Sequence, residues 1–585
     1  MKHYIYILCI WLGIGFSANA QSKETLPYTV TGTVTDAFTN KPVAGVNISV
    51  QGVSSAITED NGSYSIKIPN KSILLEISGF GYAKREIPVK GRERIDIALY
   101  ETAYKGATQQ VYTPWGDVSS TAIPYAWASV SEDNQLSVAA TPDVLLQGYA
   151  TGMQVISRSG MPGNGSNMYL HGFNTMNAGT TPLFVVDGVP YENSSYASSL
   201  IGNYYANPLA SIDIKDIESI TLLKDGVSLY GVKGANGVVL IKTLKAKGLE
   251  TKINAHAHFG VNFEPVQLPV LNALEHKNLL ADVVRSAYPG ADPALVNGLP
   301  FFDNHIPVKQ AWGYEGNVDY YRYNHETNWQ NEVYNASSNQ DYYLNVSGGD
   351  EVALYTLSLG YLNQEGIVKN THFQRFNTRF NSEIKLSQTF KAIANMSFVY
   401  GDKRLTNEGA NAYTNPMLAA LIKAPFTATN IYNEEGKLSP NIEPSDIFGN
   451  SNPYALINSV SMDNINYRFL GSFELSWQIS NHFNLDGIFG LNFNKEREKT
   501  FYPSVGVAFE QLPNAVITNE SQHRVDRLFS LYGDVYGDYK NQWNNQHRLS
   551  VRLGTRYQTN EAENDWGEGY NSSSDDFKSI QYGLP

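Results

Sequence analysis

The sequence predicts a mostly-β secreted protein whose second half is a run of membrane-spanning antiparallel strands, and three observations carry that expectation. Aromatic residues are 12% of the 585 residues, with 38 Tyr and 48 Gly, which suits short aromatic-rich strands joined by turns. The first twenty residues have the build of a secretory signal. From Thr251 onward, apolar and polar residues alternate with period two over segments longer than soluble proteins sustain.

In the leader, Lys2 and His3 form a polar n-region, Tyr4 to Phe16 an apolar core, and Ser17-Ala18-Asn19-Ala20 an A-x-A cleavage site, so residues 1–20 are expected to be removed. An apolar core of about 13 residues is short of the roughly 20 that a helical span needs. No later stretch approaches roughly 18 consecutive apolar residues, which leaves a β-barrel as the means of crossing a membrane. Cys9 is the only cysteine and lies in the leader, so the mature chain needs no disulfide. A net charge of -13 without a basic, aromatic-interleaved cluster argues against a nucleic-acid partner.

Within 21–100, from Tyr28 to Tyr100, short alternating strands are cut by turns, and Asn61-Gly62 reads as a hairpin between Ile57 and Tyr64. About seven strands in so few residues predict a small β-sandwich. The stretch resembles the carboxypeptidase-regulatory-like domain at Gly32, Asp36, Pro42, Gly45, Asp60, Gly62, Tyr64, Ser78 and Tyr82. It contains no histidine, so a metallopeptidase ligand set has no residues to build on.

Residues 101–135, with Pro114, Pro124 and several Ser and Thr, read as a linker. A mixed α/β texture follows over 136–247. Thr141-Pro142-Asp143 starts a helix expected to stop near Gly148 to Gly152. Strands are expected at Met153 to Ser157, Asn167 to His171, Leu183 to Asp187 and Gly237 to Thr243. Gly160, Gly163 and Gly165 lack the Lys-Ser/Thr of a phosphate loop and read as bends, and Asp187-Gly188 reads as a turn.

Four blocks, DVLLQGYATGMQV, SGMPGNGSNMYLHGF, PLFVVDGVP and DIESITLLKDGVSLYGVKGANGVVLIKT, follow one another as in the plugs of SusC/RagA-type TonB-dependent outer-membrane transporters. The resemblance marks Gly160, Pro162, Gly163, Gly172, Asp187, Gly188, Lys224, Asp225, Tyr230, Gly231, Asn236 and Gly237 as plug fingerprint residues. Two departures mark a divergent member: His171 where the family usually has Arg, and KDGVSLYG where its stretch is longer.

The final region, 248–585, reads as about nine barrel strands. Ile253, Ala255, Ala257, Phe259, Val261 and Phe263 alternate with polar residues, as do Phe376, Phe380 and Ile384 with Asn377, Arg379 and Asn381. Short turns at Gly348-Gly349, Ser387 to Thr389, Ser480 to His482 and Asn541 to Gln546 alternate with long connections, including 264–340, 402–465 and 495–522. His256 and His258 read as lumen-facing polarity rather than metal ligands. The family barrel has 22 strands, on the order of 800 residues at this spacing. An incomplete transmembrane barrel, and so a truncated chain, is therefore expected.

The resemblance implies TonB-dependent uptake of a glycan fragment or peptide across the cell outer membrane, with a SusD-like surface lipoprotein as lid. It implies neither catalytic residues nor a cofactor. TonB would add a strand to an extended N-terminal segment, for which Val111, Tyr112 and Thr113 are the candidates. A signal-transducing or siderophore-type receptor, or a non-functional remnant, stays open. Trp312, Tyr314, Tyr320, Tyr321, Trp329 and Tyr413 in the long connections are candidates for stacking on a sugar or for loop packing.

Overall fold

The structure, a computed structural model, describes residues 28–37, 40–50, 54–79, 82, 84–100, 110–120, 123–131, 139–177, 179–192, 198–246, 248–290, 292–297, 301–302, 318–350, 352–433, 435–446, 448–509, 514–543 and 547–585. The leader, Trp312 and Tyr314 lie outside them. The chain forms two units, one made chiefly of residues up to Gln109 and the other of nearly all that follows.

The first unit holds β1 (Tyr28–Asp36), β2 (Asn47–Val50), β3 (Ser54–Ile57), β4 (Ser63–Ile68), β5 (Leu74–Ser78), β6 (Arg85–Pro88) and β7 (Ile97–Leu99). They pair as two sheets, β4-β1-β7 and β3-β2-β5-β6. Alternate residues, among them Val30, Val34, Ile48, Ile66, Leu75 and Ile77, fill the core. The expected Asn61-Gly62 hairpin does not form. β3 pairs with β2 and β4 with β1, so the turn carries the chain from one sheet to the other, held locally by Glu59 N to Ser63 O at 3.0 Å. Glycine is required at 62, where φ is +74° and a Cβ would lie 2.5 Å from the Val34 carbonyl oxygen.

The second unit opens with a hairpin of β8 (Gln110–Thr113) and β9 (Gly116–Ser119), followed by β10 (Trp127–Ser131). Within 101–135, which reads in the sequence as a linker, the described residues 110–120 and 123–131 hold these three strands. Val111 and Thr113 are buried, and β10 is the edge strand of a five-stranded sheet. Apolar alternation over four residues is too short to stand out among prolines, which is why the strands were not legible.

The helix Pro142–Leu146 begins where Thr141-Pro142 places it, with Leu145 N bonded to Thr141 O, but ends before Gly148. β11 (Gln154–Ser157) pairs with β12 (Ser166–Tyr169). β13 (Leu183–Val186), β14 (Val189–Tyr191), β15 (Ile217–Leu223) and β16 (Val238–Thr243) complete the sheet in the order β10-β15-β16-β13-β14. The central strands β13 and β16 are apolar on both faces because Leu145 and Leu146 pack on one side of the sheet and Tyr112 and Tyr125 on the other.

Nine further strands form one antiparallel sheet: β17 (Lys252–Asn262), β18 (Ser337–Gly349), β19 (Ala353–Glu365), β20 (His372–Lys385), β21 (Phe390–Arg404), β24 (Ser461–Gln478), β25 (Phe483–Tyr502), β26 (Glu520–Trp543) and β27 (His547–Tyr570). The small pair β22 (Asn430–Tyr432) and β23 (Leu438–Ile442) lies in the connection between β21 and β24. Long connections, 263–336, 405–460 and 503–519, leave one end of the sheet, and connections of three or four residues join strands at the other. The sheet is an incomplete barrel: β17 and β27 are not paired with each other. No helix among the described residues is long and apolar enough to cross a membrane.

Candidate functional site: the inner face of the sheet and the domain it holds

The period of two divides the nine strands into two chemically different faces. On β20, Arg375, Asn377, Arg379 and Asn381 are buried while Phe376 between them is exposed. The register then puts Phe376, Tyr400 and Tyr467 in one outward row, and Phe398, Phe469, Phe493 and Phe529 in the next. Inward side chains meet the α/β domain of residues 122–247, and there the polar groups find partners.

Arg375 is the most fully engaged. Its Nη2 lies 2.8 Å from Asp213 Oδ2, and Nη1 donates to the carbonyls of Ala210 at 3.0 Å and Ala140 at 3.2 Å. One turn of pleat further, Arg379 sits 3.6 Å from both Asp216 and Asp187. Tyr343 donates to Asp216 at 2.8 Å and Ser358 donates to the same oxygen. Asp187 also accepts from Thr243 N at 3.0 Å and Thr243 Oγ1 at 2.7 Å, and Asn381 donates to Thr243 Oγ1 at 2.9 Å. Burial opposes the charge of Asp213, yet Arg375 and Lys215 bring its carboxyl below the ordinary carboxylate value. At Asp216 burial prevails over Arg379 and the carboxyl is pushed up.

A second set of contacts lies toward the end with the long connections. Glu498 accepts from Ser199 Oγ and Leu200 N, each at 2.9 Å, and is paired with Arg524 at 3.2 Å. Arg524 Nη1 donates to Ser198 O at 2.6 Å, and Lys403 Nζ to Tyr204 Oη at 2.9 Å. Arg468 lies over the Tyr191 ring at 3.7 Å and donates to Glu192 O at 2.6 Å. Near the opposite end, Arg556 donates to Leu229 O at 2.7 Å, pairs with Asp534 and approaches the Tyr230 ring at 4.9 Å. The inner face thus grips the domain both through main-chain carbonyls, those of Ala210, Ser198 and Leu229 among them, and through the buried side chains of Asp187, Asp213 and Asp216.

The fingerprint residues do not converge on one site. Gly163 has φ +73° and comes within 3.1 Å (as a Cβ would) of Lys403 and Phe373, so the sheet closes on the chain there. Pro162 packs beside Gly366. Gly160 and Gly172 face open space, Gly172 and Gly231 at φ +72° and +60°. Asp187 and Gly188, both at positive φ, make the two-residue turn between β13 and β14. The Lys224 amide donates to Ala126 O at 2.9 Å and its carbonyl is 2.8 Å from His171 Nε2. Asp225 accepts from Val227 N, and Asn236 donates to Gly179 O at 2.6 Å. Gly237 has φ +83°, and a Cβ there would meet Leu170 Cδ2 at 2.0 Å. Most of these residues set backbone geometry.

Val111, Tyr112 and Thr113 are not an extended free segment. They are paired in the β8–β9 hairpin, and burial holds the Tyr112 hydroxyl well above its ordinary value. Lys242 anchors the hairpin at Asp117, 2.8 Å away, and also meets Glu218 at 3.4 Å. Trp329 is buried and donates to Ala424 O at 3.1 Å, so it packs the connections. Tyr320 and Tyr321 stand edge to face at 5.0 Å, and Tyr413 is part exposed.

Comparison with known proteins accords with this architecture. Residues 122–238 match the TonB-dependent Receptor Plug Domain and residues 30–111 the CarboxypepD_reg-like domain. The TonB-dependent receptor SusC of Bacteroides thetaiotaomicron is 26% identical over 415 residues, 69% of this chain and 36% of that receptor. The TonB-dependent receptor P26 of Formosa agariphila is 28% identical over 501 residues, 84% of this chain and 44% of that receptor. The RagAB peptide importer in its open-open state superposes with a TM-score of 0.64 at 21% identity, covering 82% of this chain and 52% of that one. The α/β domain is thus of the kind that plugs TonB-dependent receptors, and the chain as a whole is similar to receptors of the SusC/RagA type. It spans less than half the length of these curated relatives.

Proposed function

We propose that the chain is the N-terminal part of an importer that moves a glycan fragment or peptide across the outer membrane, powered through TonB and assisted by a SusD-like surface lipoprotein. The observation that carries this reading is the polar inner wall of Arg375, Arg379, Arg468, Arg524 and Arg556, which holds a separate folded domain by main-chain oxygens and buried acids. Such a wall stabilises a plug in the lumen and remains wettable when the plug shifts, whereas a passive structural barrel needs no folded insert.

The segment 226–236 is a weakly enclosed part of the plug: Val227 and Val232 are exposed, and Arg556 ties it to β27 through the Leu229 carbonyl. Beside it lies a cavity of about 680 Å³ lined in part by Tyr230, Tyr532, Asp534, Asp538, Arg552 and Arg556. Movement of this segment would open a polar path along β26 and β27. TonB would act from the N-terminal side, at or upstream of the β8–β9 hairpin.

The test is depletion of a defined mixture of oligosaccharides and peptides by native cells with and without the gene, read by mass spectrometry of the medium. One chemical class should persist in the deletion culture and vanish on complementation. Identical depletion by both cultures would sink the reading.

A further inference from the structure

The cavity of about 680 Å³ beside the plug lies toward the end of the sheet with the short turns, which in an outer-membrane barrel is the periplasmic end. Its walls are the inner face of β26 and β27, the plug segment 228–230 and the tip of the β8–β9 hairpin. Its volume lies within the roughly 300–1,000 Å³ of sites that hold small organic ligands. Three aromatic rings stand around it: Trp115 from the hairpin, Tyr230 from the plug and Tyr536 from β26. Trp115 is exposed and the two tyrosines are half-buried, so each keeps ring surface free. Tyr536 owes its place to a glycine. Gly554 of β27 stands directly opposite, where a Cβ would lie 2.5 Å from Tyr536 Cβ, and Arg552 covers the ring at 4.0 Å from its centroid.

The charges of this wall are matched within the wall itself. Arg552 Nε donates to Asp538 Oδ1 at 2.6 Å with Nη2 on the second oxygen, and Arg556 donates to Asp534 through Nη2 at 2.7 Å and Nε at 3.0 Å. A carboxylate or ammonium group on a solute would have to displace one of these partners and strand the other. Of the described charged residues that line the cavity, Lys540 alone stands outside these pairs, exposed at the short-turn end. An uncharged polyhydroxyl solute needs no such exchange. Each arginine–carboxylate pair sets donors beside acceptors with no net charge, a pattern that two neighbouring hydroxyls complete. The aromatic rings supply flat apolar surface for the C–H face of a sugar.

We propose that this cavity is an exit-side solute site, which holds an uncharged stretch of a saccharide chain among Trp115, Tyr230 and Tyr536 after it has passed the plug's upper contacts with the wall. The site rests on the importer reading above. It adds to that reading the class of solute and the place where the solute is held before release.

The experiment supplies native cells with partial hydrolysates of neutral polysaccharides, of uronate-containing polysaccharides and of protein, and follows each class in the medium by mass spectrometry over a range of concentrations. Cells lacking the gene set the background. The class whose removal depends on the gene should be the neutral saccharides. With surface amount and heat-modifiable mobility matched to wild type, Tyr536→Leu should lower the maximal rate about tenfold, the worth of one stacked ring. It should leave the half-saturating concentration unchanged, because capture at the cell surface precedes this cavity. Tyr536→Phe, which keeps the ring, should lose no more than about threefold. Gene-dependent removal of peptides or uronates in place of neutral saccharides, a wild-type maximal rate in Tyr536→Leu, or a raised half-saturating concentration at an unchanged maximal rate would each overturn the proposal. Equal depletion of every class with and without the gene would remove the importer reading itself, and the site with it.

Discussion

Arg375 of β20 and Asp213 of the plug form a wholly buried ion pair at 2.8 Å, with the same guanidinium satisfying carbonyls of Ala140 and Ala210. Removing one member of such a pair strands the other charge, at a cost of about 3–5 kcal/mol. Arg375→Met should therefore lower the urea midpoint for plug release, read as protease cleavage of residues 141–247 while the barrel stays heat-modifiable. Combining it with Asp213→Asn should restore part of the loss. An additive double variant would show that the two residues act separately.

Two fingerprint glycines separate strain from collision. Gly172 and Gly237 both have positive φ, but a Cβ at 172 meets open space and one at 237 meets Leu170 at 2.0 Å. Gly172→Ala should cost about 1–2 kcal/mol, the left-handed penalty alone. Gly237→Ala should cost clearly more and reduce the amount of assembled receptor. Denaturation of both variants side by side checks the order.

The β8–β9 hairpin should loosen in alkali. Burial acts against the charge of Lys242, but Asp117 and Glu218 raise its pKa above 10.5, and burial raises that of Tyr112 above 10.0. Both folded values exceed the unfolded ones, so their stabilisation is complete below the unfolded pKa and is lost as pH rises through the folded values. Subtilisin cleavage within 110–119 should be slow from neutral pH to about 9 and accelerate above about 10. Lys242→Met should speed cleavage at neutral pH; because Asp117 is half exposed, the change is on the order of 1 kcal/mol.

The outward face should reject charge and the inner face should not. Phe489→Arg, in the middle of the apolar run of β25, should destabilise the folded barrel by about 2–4 kcal/mol. Asn492→Ser, on the inner face, should leave heat-modifiable assembly unchanged. Equal effects at both positions would contradict the assignment of faces.

The strand alternation was legible because each barrel strand must satisfy two different solvents, and residues such as Phe376 and Arg379 announce their faces in the sequence. The sheet has nine strands, as the alternation together with the spacing of turns and long connections predicts, and β24 to β27 run to 18 to 24 residues. The glycines and the Asp187-Gly188 turn were legible for a similar reason, since backbone geometry restricts the residue type. What the sequence concealed was pairing at a distance. Nothing near Asp213 or Asp216 signals Arg375 or Arg379, which are more than 150 positions away, and the Asn61-Gly62 turn looks the same whether it joins two paired strands or two sheets. The hairpin at Val111 to Thr113 escaped notice because its burial depends on the sheet beneath it.

The most direct test compares solute depletion by TonB-null and wild-type cells carrying equal surface amounts of the receptor. The account predicts that TonB-null cells leave behind the same chemical class as cells lacking the receptor. Depletion at the wild-type rate without TonB would contradict energised import through a plugged barrel.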